Sequence, residues 1–500
     1  MLSPFRSRLW AFVLALAVLS CPAYADEAAP PRKAEEQAAS RGLPAEISTS
    51  HTVTIDGEKI AFTARAGAIR LRDASSDAPQ ADVAYVSYER TASDPLTRPV
   101  LFIFNGGPGA ASAWLGLGAA GPWRLRISPE TMSPSAAPVT VDNAETWLPF
   151  ADLVLIDPPG TGYSKILSDS DDVRKRFYSV QGDAEALAVV LRKWLLAHGR
   201  LASPKFIAGE SYGGFRAVKL ARALRERESV GVNGLALVSP ALDFAWLGAE
   251  RNMLAYAGRL PSLAAAARGA TDRAALADVE AYAAGEYVTD LLKGARDAEA
   301  LSRLSGNVAR FTGLDARLAA QLGGRIDAKT FTRERRRNAQ EVLSAYDAGI
   351  VAYDPAPFAP ESEWADPVLD AWRAPLGAAM TRLTVEKLGW PIGDARYNVL
   401  NDQIAHQWDY GRQGRANAEA VSDLRDALAL DPQLRVLVAH GVADLVTPYF
   451  ATKLMLDQLP AFGGGERVSL TVLAGGHMPY LYDAARRELR DAVRRLVEKK

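Results

Sequence analysis

Lys205-Phe206-Ile207-Ala208-Gly209-Glu210-Ser211-Tyr212-Gly213-Gly214 is the stretch on which the fold turns. A short β-prone run, 205–208, leads into a serine with glycines two residues to either side. Gly214 then opens a helix-compatible run as far as Leu224. A strand that becomes a helix this abruptly needs small neighbours at Gly209 and Gly213, and it lifts the Ser211 hydroxyl above the sheet as a nucleophile elbow. Five residues of this pattern also occur in ordinary turns. The strand before it and the helix after it separate the two readings.

Outward from the elbow, apolar runs of the kind buried on both faces recur at Val100–Phe104, 153–156, 235–238, 435–439 and Val468–Leu473. Between two of them Ala184, Leu187, Ala188, Leu191, Trp194 and Leu195 mark one face at helical spacing. Strands that alternate with helices predict a mostly parallel sheet flanked by helices. Upstream, His51-Thr52-Val53-Thr54-Ile55 stands before the turn dipeptide Asp56-Gly57, and β-rich runs follow at 59–64 and 81–88. Alternation around such a turn predicts antiparallel strands. From 243 to 404 the rhythm breaks into Ala-, Leu- and Arg-rich sequence with helical candidates at 274–284 and 333–348. This is expected to be a helical cap inserted between two halves of one sheet. The run Arg333-Glu334-Arg335-Arg336-Arg337 reads as a solvated helix face rather than a binding patch.

A serine hydroxyl is a poor nucleophile until an imidazole takes its proton, and the imidazole needs a carboxylate to set its tautomer and stabilise its charge. His477, in Ala474-Gly475-Gly476-His477-Met478-Pro479, follows a predicted strand and precedes the C-terminal helix. Asp444, in His440-Gly441-Val442-Ala443-Asp444, also follows a strand and precedes His477 by 33 residues, room for one helix and one strand. The chain order Ser211, Asp444, His477 is that of an α/β-hydrolase. Of the other histidines, His440 would break that order and is expected to make structural hydrogen bonds. His198 ends a helix where a cation complements the dipole, His51 begins a strand, and His406 lies near the return from the cap. The loop Asn105-Gly106-Gly107-Pro108-Gly109 follows the strand Val100–Phe104, and the amides of Gly107 and Tyr212 are expected to form the oxyanion hole.

In order along the chain stand Asn105 to Gly109, Gly121-Pro122, Asp157-Pro158-Pro159-Gly160-Thr161-Gly162-Tyr163-Ser164, Glu210 before Ser211, and Gly476-His477-Met478. Together these motifs resemble the serine carboxypeptidases, from about Leu101 to Pro479. The resemblance implies an α/β-hydrolase fold with a helical insertion and metal-free, cofactor-free release of C-terminal residues from peptides. It also implies Ser211, Asp444 and His477 as the triad, Gly107 and Tyr212 as oxyanion donors, and Asn105, Gly106 and Glu210 as receptors of the substrate's terminal carboxylate. Two positions depart from it. Ala110 stands where the family usually has a cysteine after the glycine loop, and Ala119 where it has the second glutamate of a carboxyl pair.

Composition bounds the rest. Apolar residues are 48% and charged residues 23%, as in soluble globular chains. The 58 Lys and Arg against 59 Asp and Glu supply no broad drive toward nucleic acid or anionic membrane. Arg6 and Arg8, the apolar run 9–19 and Ala23-Tyr24-Ala25 have the order of a secretory signal peptide, with an apolar run too short to span a bilayer. Val18-Leu19-Ser20-Cys21 resembles an imperfect lipoprotein box, so lipid anchoring through Cys21 is the alternative to a periplasmic or secreted protein. Cleavage after Ala25 leaves a mature chain without cysteine. The expected organisation is signal peptide 1–25, flexible linker 26–47, first core part 48–242, cap 243–404 and second core part 405–500. A peptide with a free C-terminus is the expected partner, with no nucleic acid and no membrane span after processing. An esterase or acyltransferase of the same chemistry, or an inactive binding protein, are the competing functions. Tyr256, Tyr346, Trp364, Trp408 and Tyr410 are candidate pocket residues, with core packing the competing role for each.

Overall fold

The computed structural model describes residues 42–499 apart from 56, 92, 249–251 and 463–466. The expected signal peptide, Cys21 and linker residues 26–41 lie outside the described residues.

Central strands read as unbroken apolar runs because they are covered twice. In Val100–Phe104, Leu101 and Ile103 enter one core while Val100, Phe102 and Phe104 enter the other. The sheet runs in the order Ile47–Ile55, Glu58–Arg72, Pro79–Arg90, Asp152–Ile156, Val100–Phe104, Lys205–Glu210, Gly234–Val238, Arg435–Gly441 and Val468–Leu473. The first three pairings are antiparallel and the remaining five parallel. One face is covered by the helices Val180–Ala197 and Tyr212–Arg227, the other by Asp483–Glu498 together with Trp114, Trp147 and Trp372. All six residues expected to form the apolar face of Val180–Ala197 are buried. This is an α/β-hydrolase fold.

Strand order positions the site. From Val100–Phe104 the chain steps to one neighbour, Asp152–Ile156, and only later supplies the other, Lys205–Glu210. The carboxyl ends of Val100–Phe104 and Lys205–Glu210 therefore lie side by side where the winding direction reverses, the place where open α/β sheets bind ligands.

Between the adjacent parallel strands Gly234–Val238 and Arg435–Gly441 the chain is mostly helical, with helices that include Met253–Arg268, Ala298–Thr312 and Leu369–Thr381. Three sequence readings are corrected here. No helix covers 333–348: Ala328–Glu334 ends early, and Glu341–Leu343 pairs antiparallel with Val351–Tyr353. Arg333 is not on a solvated face. It is buried beside Asp354 (3.3 Å) and donates to the carbonyls of Pro360 (2.6 Å) and Ala359 (2.7 Å). A desolvated guanidinium needs those acceptors, and only the folded loop supplies them. Residues 42–47, assigned to the linker, are also tied down. The Leu43 N–H donates to Asp82 (2.8 Å), the Trp390 indole to the Ala45 carbonyl (3.1 Å), and the first strand starts at Ile47. Among the described residues no helix is long and apolar enough to cross a membrane.

Candidate active site

Ser211 is the single residue between the strand Lys205–Glu210 and the helix Tyr212–Arg227, and its backbone sits at φ 60°, ψ −125°. Such a conformation costs a residue with a side chain on the order of 1–3 kcal/mol and persists only where neighbours impose it. The Ser211 N–H donates to Val238 (2.9 Å), and its carbonyl accepts from Gly214 (2.9 Å) and Ala241 (3.1 Å). Gly209 makes the turn passable, since a Cβ there would come 2.0 Å from the Gly213 carbonyl oxygen.

The Asn105 to Gly109 loop leans directly on this elbow. A Cβ on Gly106 would lie 2.6 Å from the Tyr212 nitrogen and 2.9 Å from the Ser211 Cβ, so no larger residue fits. Buried Arg216 locks the approach, donating to the Asn105 carbonyl (2.6 Å) and to Asp183 (2.6 Å). The Asn105 Oδ1 accepts from the Leu115 N–H (3.0 Å), while its Nδ2 is buried with no partner of favourable geometry. Tyr212 begins its helix, so its amide is among the N–H groups without an intrahelical acceptor.

Asp444 and His477 arrive on loops after Arg435–Gly441 and Val468–Leu473. Fully buried Asp444 accepts from the amides of Val446 (2.8 Å) and Thr447 (3.0 Å) on Oδ1, and its Oδ2 lies 2.8 Å from His477 Nδ1. A carboxylate there keeps the proton on Nδ1. The buried Nε2 is left with no hydrogen-bond partner, on a ring that lines the same cavity as Ser211. Burial pulls the His477 pKa down, but the charge and hydrogen bond of Asp444, with Glu210 beyond, outweigh it and leave the ring more basic than ordinary histidine.

Thr447 completes this arrangement. Its hydroxyl lies 2.8 Å from Asp444 Oδ2, 2.9 Å from the Ser239 carbonyl and 3.1 Å from His477 Nδ1. Thr447→Val keeps the shape and removes that contact. Since one hydrogen bond is worth about 0.5–1.5 kcal/mol, kcat is expected to fall roughly threefold to tenfold with no change in far-UV dichroism.

The cavity holds about 190 Å³ and is lined by Asn105, Gly106, Gly107, Trp114, Glu210, Ser211, Tyr346, Leu369, Leu400, Arg415, Val446, His477 and Met478, with Ala110 also on its wall. Thus Asn105, Gly106, Gly107, Glu210, Ser211 and His477 meet in one pocket, Tyr212 underlies it and Asp444 backs His477. Wider hollows, such as one of about 490 Å³ beside Arg435, Arg467 and Arg495, hold no serine–histidine pair. Among the described residues no group of three or more His, Cys, Asp or Glu converges as a metal site.

Of the aromatic candidates only Tyr346 lines the cavity, its ring 5.2 Å from that of His477. Trp408 packs edge-on against Tyr212 (5.3 Å) and Tyr410 against Phe244 (5.1 Å). Tyr256 and Trp364 are not part of the wall. His440 is corrected: neither buried ring nitrogen has a hydrogen-bond partner of good geometry, and burial pushes its pKa down to about 4, so it packs as a neutral ring. His198 stacks on Trp194 (4.4 Å), His51 meets Trp123 edge-on (5.0 Å), and exposed His406 is not in the wall.

Sequence reading missed Thr447 and Tyr480. Asp444 makes an Asx turn, its Oδ1 accepting from the amides of Val446 and Thr447, and that turn is the local signal for the first. Tyr480 donates to Glu210 Oε2 at 2.6 Å, so Glu210 has a partner after all, a phenol rather than a carboxyl group. Burial lifts the Glu210 pKa to about 7, against the opposing pulls of His477, Tyr480 and the Asn105 amide.

A sequence profile described as serine carboxypeptidase matches residues 59–277, which carry the glycine loop, Asp157, Glu210 and Ser211. Over those residues, somewhat less than half of its length, the chain is similar to the serine carboxypeptidase family. It is 26% identical over 171 residues to serine carboxypeptidase-like 16 of Arabidopsis thaliana, covering 33% of this chain and 38% of that one. With serine carboxypeptidase-like 51 of the same plant identity is 30% over 169 residues, 33% of either chain. With pheromone-processing carboxypeptidase kex1 of Aspergillus niger it is 31% over 144 residues, 28% of this chain and 21% of that one. The matches thus span between 21% and 38% of these relatives' own length. The matched residues of the profile end before Asp444 and His477; His477 lines the same cavity as Ser211, and Asp444 lies 2.8 Å behind it.

Proposed function

We propose that this serine carboxypeptidase homologue cleaves peptides at a free C-terminus through an acyl-enzyme on Ser211. The observation that carries the reading is His477: Nδ1 is held by Asp444 at 2.8 Å while Nε2 is unpartnered in the cavity that Ser211 lines. In this mechanism Nε2 takes the Ser211 proton as Oγ attacks the scissile carbonyl. The amides of Gly107 and Tyr212 stabilise the oxyanion, and the proton passes to the leaving amine. Water deacylates the serine by the same route reversed. Glu210, next to the nucleophile in sequence, together with Asn105 and the Gly106 amide, receives the terminal carboxylate of the leaving residue. Insertion 243–404 serves as the cap, contributing Tyr346, Leu369 and Leu400 to the wall.

The test is mass spectrometry of products from a mixed peptide pool. C-terminal ladders are the expected result. Internal cleavage, or ester hydrolysis with peptides untouched, would sink the reading, and an absence of fluorophosphonate labelling at Ser211 would make the chain a binding protein. Export belongs to the same proposal. Mature protein is expected to begin near Asp26 and to unfold at the same denaturant concentration with and without reductant. N-terminal sequencing that finds Met1 on a cytoplasmic protein would overturn export, and an acylated Cys21 would establish the lipid-anchored form.

A further inference from the structure

The elbow and the loop after the last strand meet at two points. Ser211 and Glu210 are neighbours on the elbow, and His477 and Tyr480 are three residues apart on the loop, with Tyr480 in the short turn Pro479–Leu481. One segment therefore delivers a base to the cavity of Ser211 and a phenol to Glu210, at 2.6 Å. The phenol is fully buried, and the fold makes room for it. A Cβ on Gly118 would come 2.5 Å from the Tyr480 ring and 3.2 Å from Trp372. Neighbouring Ala119 adds no polar side chain, and its carbonyl accepts from Asn143 (2.7 Å). Resting on the carboxypeptidase reading above, we propose that Tyr480 is the positioning residue for substrate-carboxylate recognition, holding Glu210 Oε2 so that the acid proton resides on Oε1 and is offered to the peptide's C-terminus.

The chemistry follows from counting donors. A phenol hydroxyl has one proton, spent on Oε2, so a protonated Glu210 carries its own proton on Oε1. Two carboxylates repel in a desolvated pocket, so a peptide with an ionised C-terminus binds the protonated form. The other groups acting on Glu210 are His477 and Asp444 from the catalytic loops and Asn105 from the glycine loop; Tyr346 faces the cavity from the insertion and Arg415 lines its wall. Tyr480 is the one that donates to Oε2. Donation to a carboxylate favours ionisation, so its removal raises the pH at which Glu210 titrates.

Tyr480→Phe tests this, because it keeps the ring against Gly118 and deletes only the hydroxyl. Two readouts are needed. The first is the infrared band of the protonated Glu210 carboxyl, identified by its loss in Glu210→Gln and followed against pH without substrate. The second is the pH dependence of KM for a peptide and its C-terminal amide. A hydrogen bond to a charged group is commonly worth about tenfold or more in such an equilibrium. The expected result is an infrared midpoint raised by about one pH unit, with tight binding of the free peptide extended upward by the same interval and kcat little changed. Glu210→Gln/Tyr480→Phe should show no pH shift relative to Glu210→Gln. An unmoved infrared midpoint in Tyr480→Phe overturns the proposal. If the midpoint rises but wild-type enzyme treats free and amidated peptides alike, the carboxypeptidase reading fails while the hold of Tyr480 on Glu210 stands. Should Tyr480→Phe not fold, Tyr480 replaced by 3-fluorotyrosine, a more acidic and stronger donor, must lower the midpoint, and a rise or no change counts against the proposal.

Discussion

Ser211→Ala is expected to lower kcat by about 10⁴- to 10⁶-fold, and His477→Ala by a similar factor, with KM little affected. Without Oγ there is no acyl-enzyme, and without the ring there is no acceptor for its proton. Because the two act as a unit, the double variant should lose about as much as either single one, where independent contributions would multiply. Both variants should unfold near the wild-type denaturant midpoint. Ser211→Ala also deletes the hydroxyl without relieving the φ of 60°, since alanine is strained there as well. Burst-phase kinetics with an activated ester provide the complementary check, as wild-type enzyme should release one equivalent of leaving group rapidly and Ser211→Ala none. Multiplicative losses, or turnover by purified Ser211→Ala, would remove Ser211 from the mechanism.

The second large effect is on pH dependence. His477 must be neutral to act as a base, and Asp444 makes it more basic than ordinary histidine. Activity on every substrate should therefore fall as pH drops through a titration lying above the usual histidine range. Glu210 works in the opposite sense. It is protonated below about 7 and ionised above. KM for peptides with a free C-terminus should thus rise about tenfold or more as pH passes through this region, while KM for amidated peptides stays flat. Free peptides should give a narrow bell in kcat/KM, and amides only its acid limb. Since His477 and Glu210 sense each other, the two apparent values belong to the pair. Glu210→Gln keeps a donor without the charge, so it should flatten the alkaline limb for free peptides. Equal pH dependence for the two substrate types, with amides cleaved as well as acids, would exclude Glu210 as the carboxylate receptor.

The strands around the elbow were legible in the sequence because burial on both faces demands unbroken apolar runs, and such runs need no tertiary context to be seen. Ser211 was legible for the same local reason, since Gly209 and Gly213 mark a turn that side chains would block. The reach of that signal is short. For 333–348, helix-compatible composition lost to pairing between Glu341–Leu343 and Val351–Tyr353, and Arg333 turned inward because carbonyls more than twenty residues away could satisfy it.

Chain order was enough to nominate Asp444 and His477, because a triad on this fold draws its members from successive strand ends. What sequence alone determined was thus the sheet, the elbow and the candidates for the reacting groups, all features set by local periodicity, small residues and order. Only the tertiary structure decided which nitrogen of His477 is left free, which of five aromatic candidates meets the cavity, and what stands opposite Glu210. Tyr480 is 270 residues from Glu210, and Thr447 touches both His477 and the Ser239 carbonyl. Hydrogen bonds are directional and work over about 3 Å. Contacts of that kind depend on how distant loops converge, which neither periodicity nor motif spacing records.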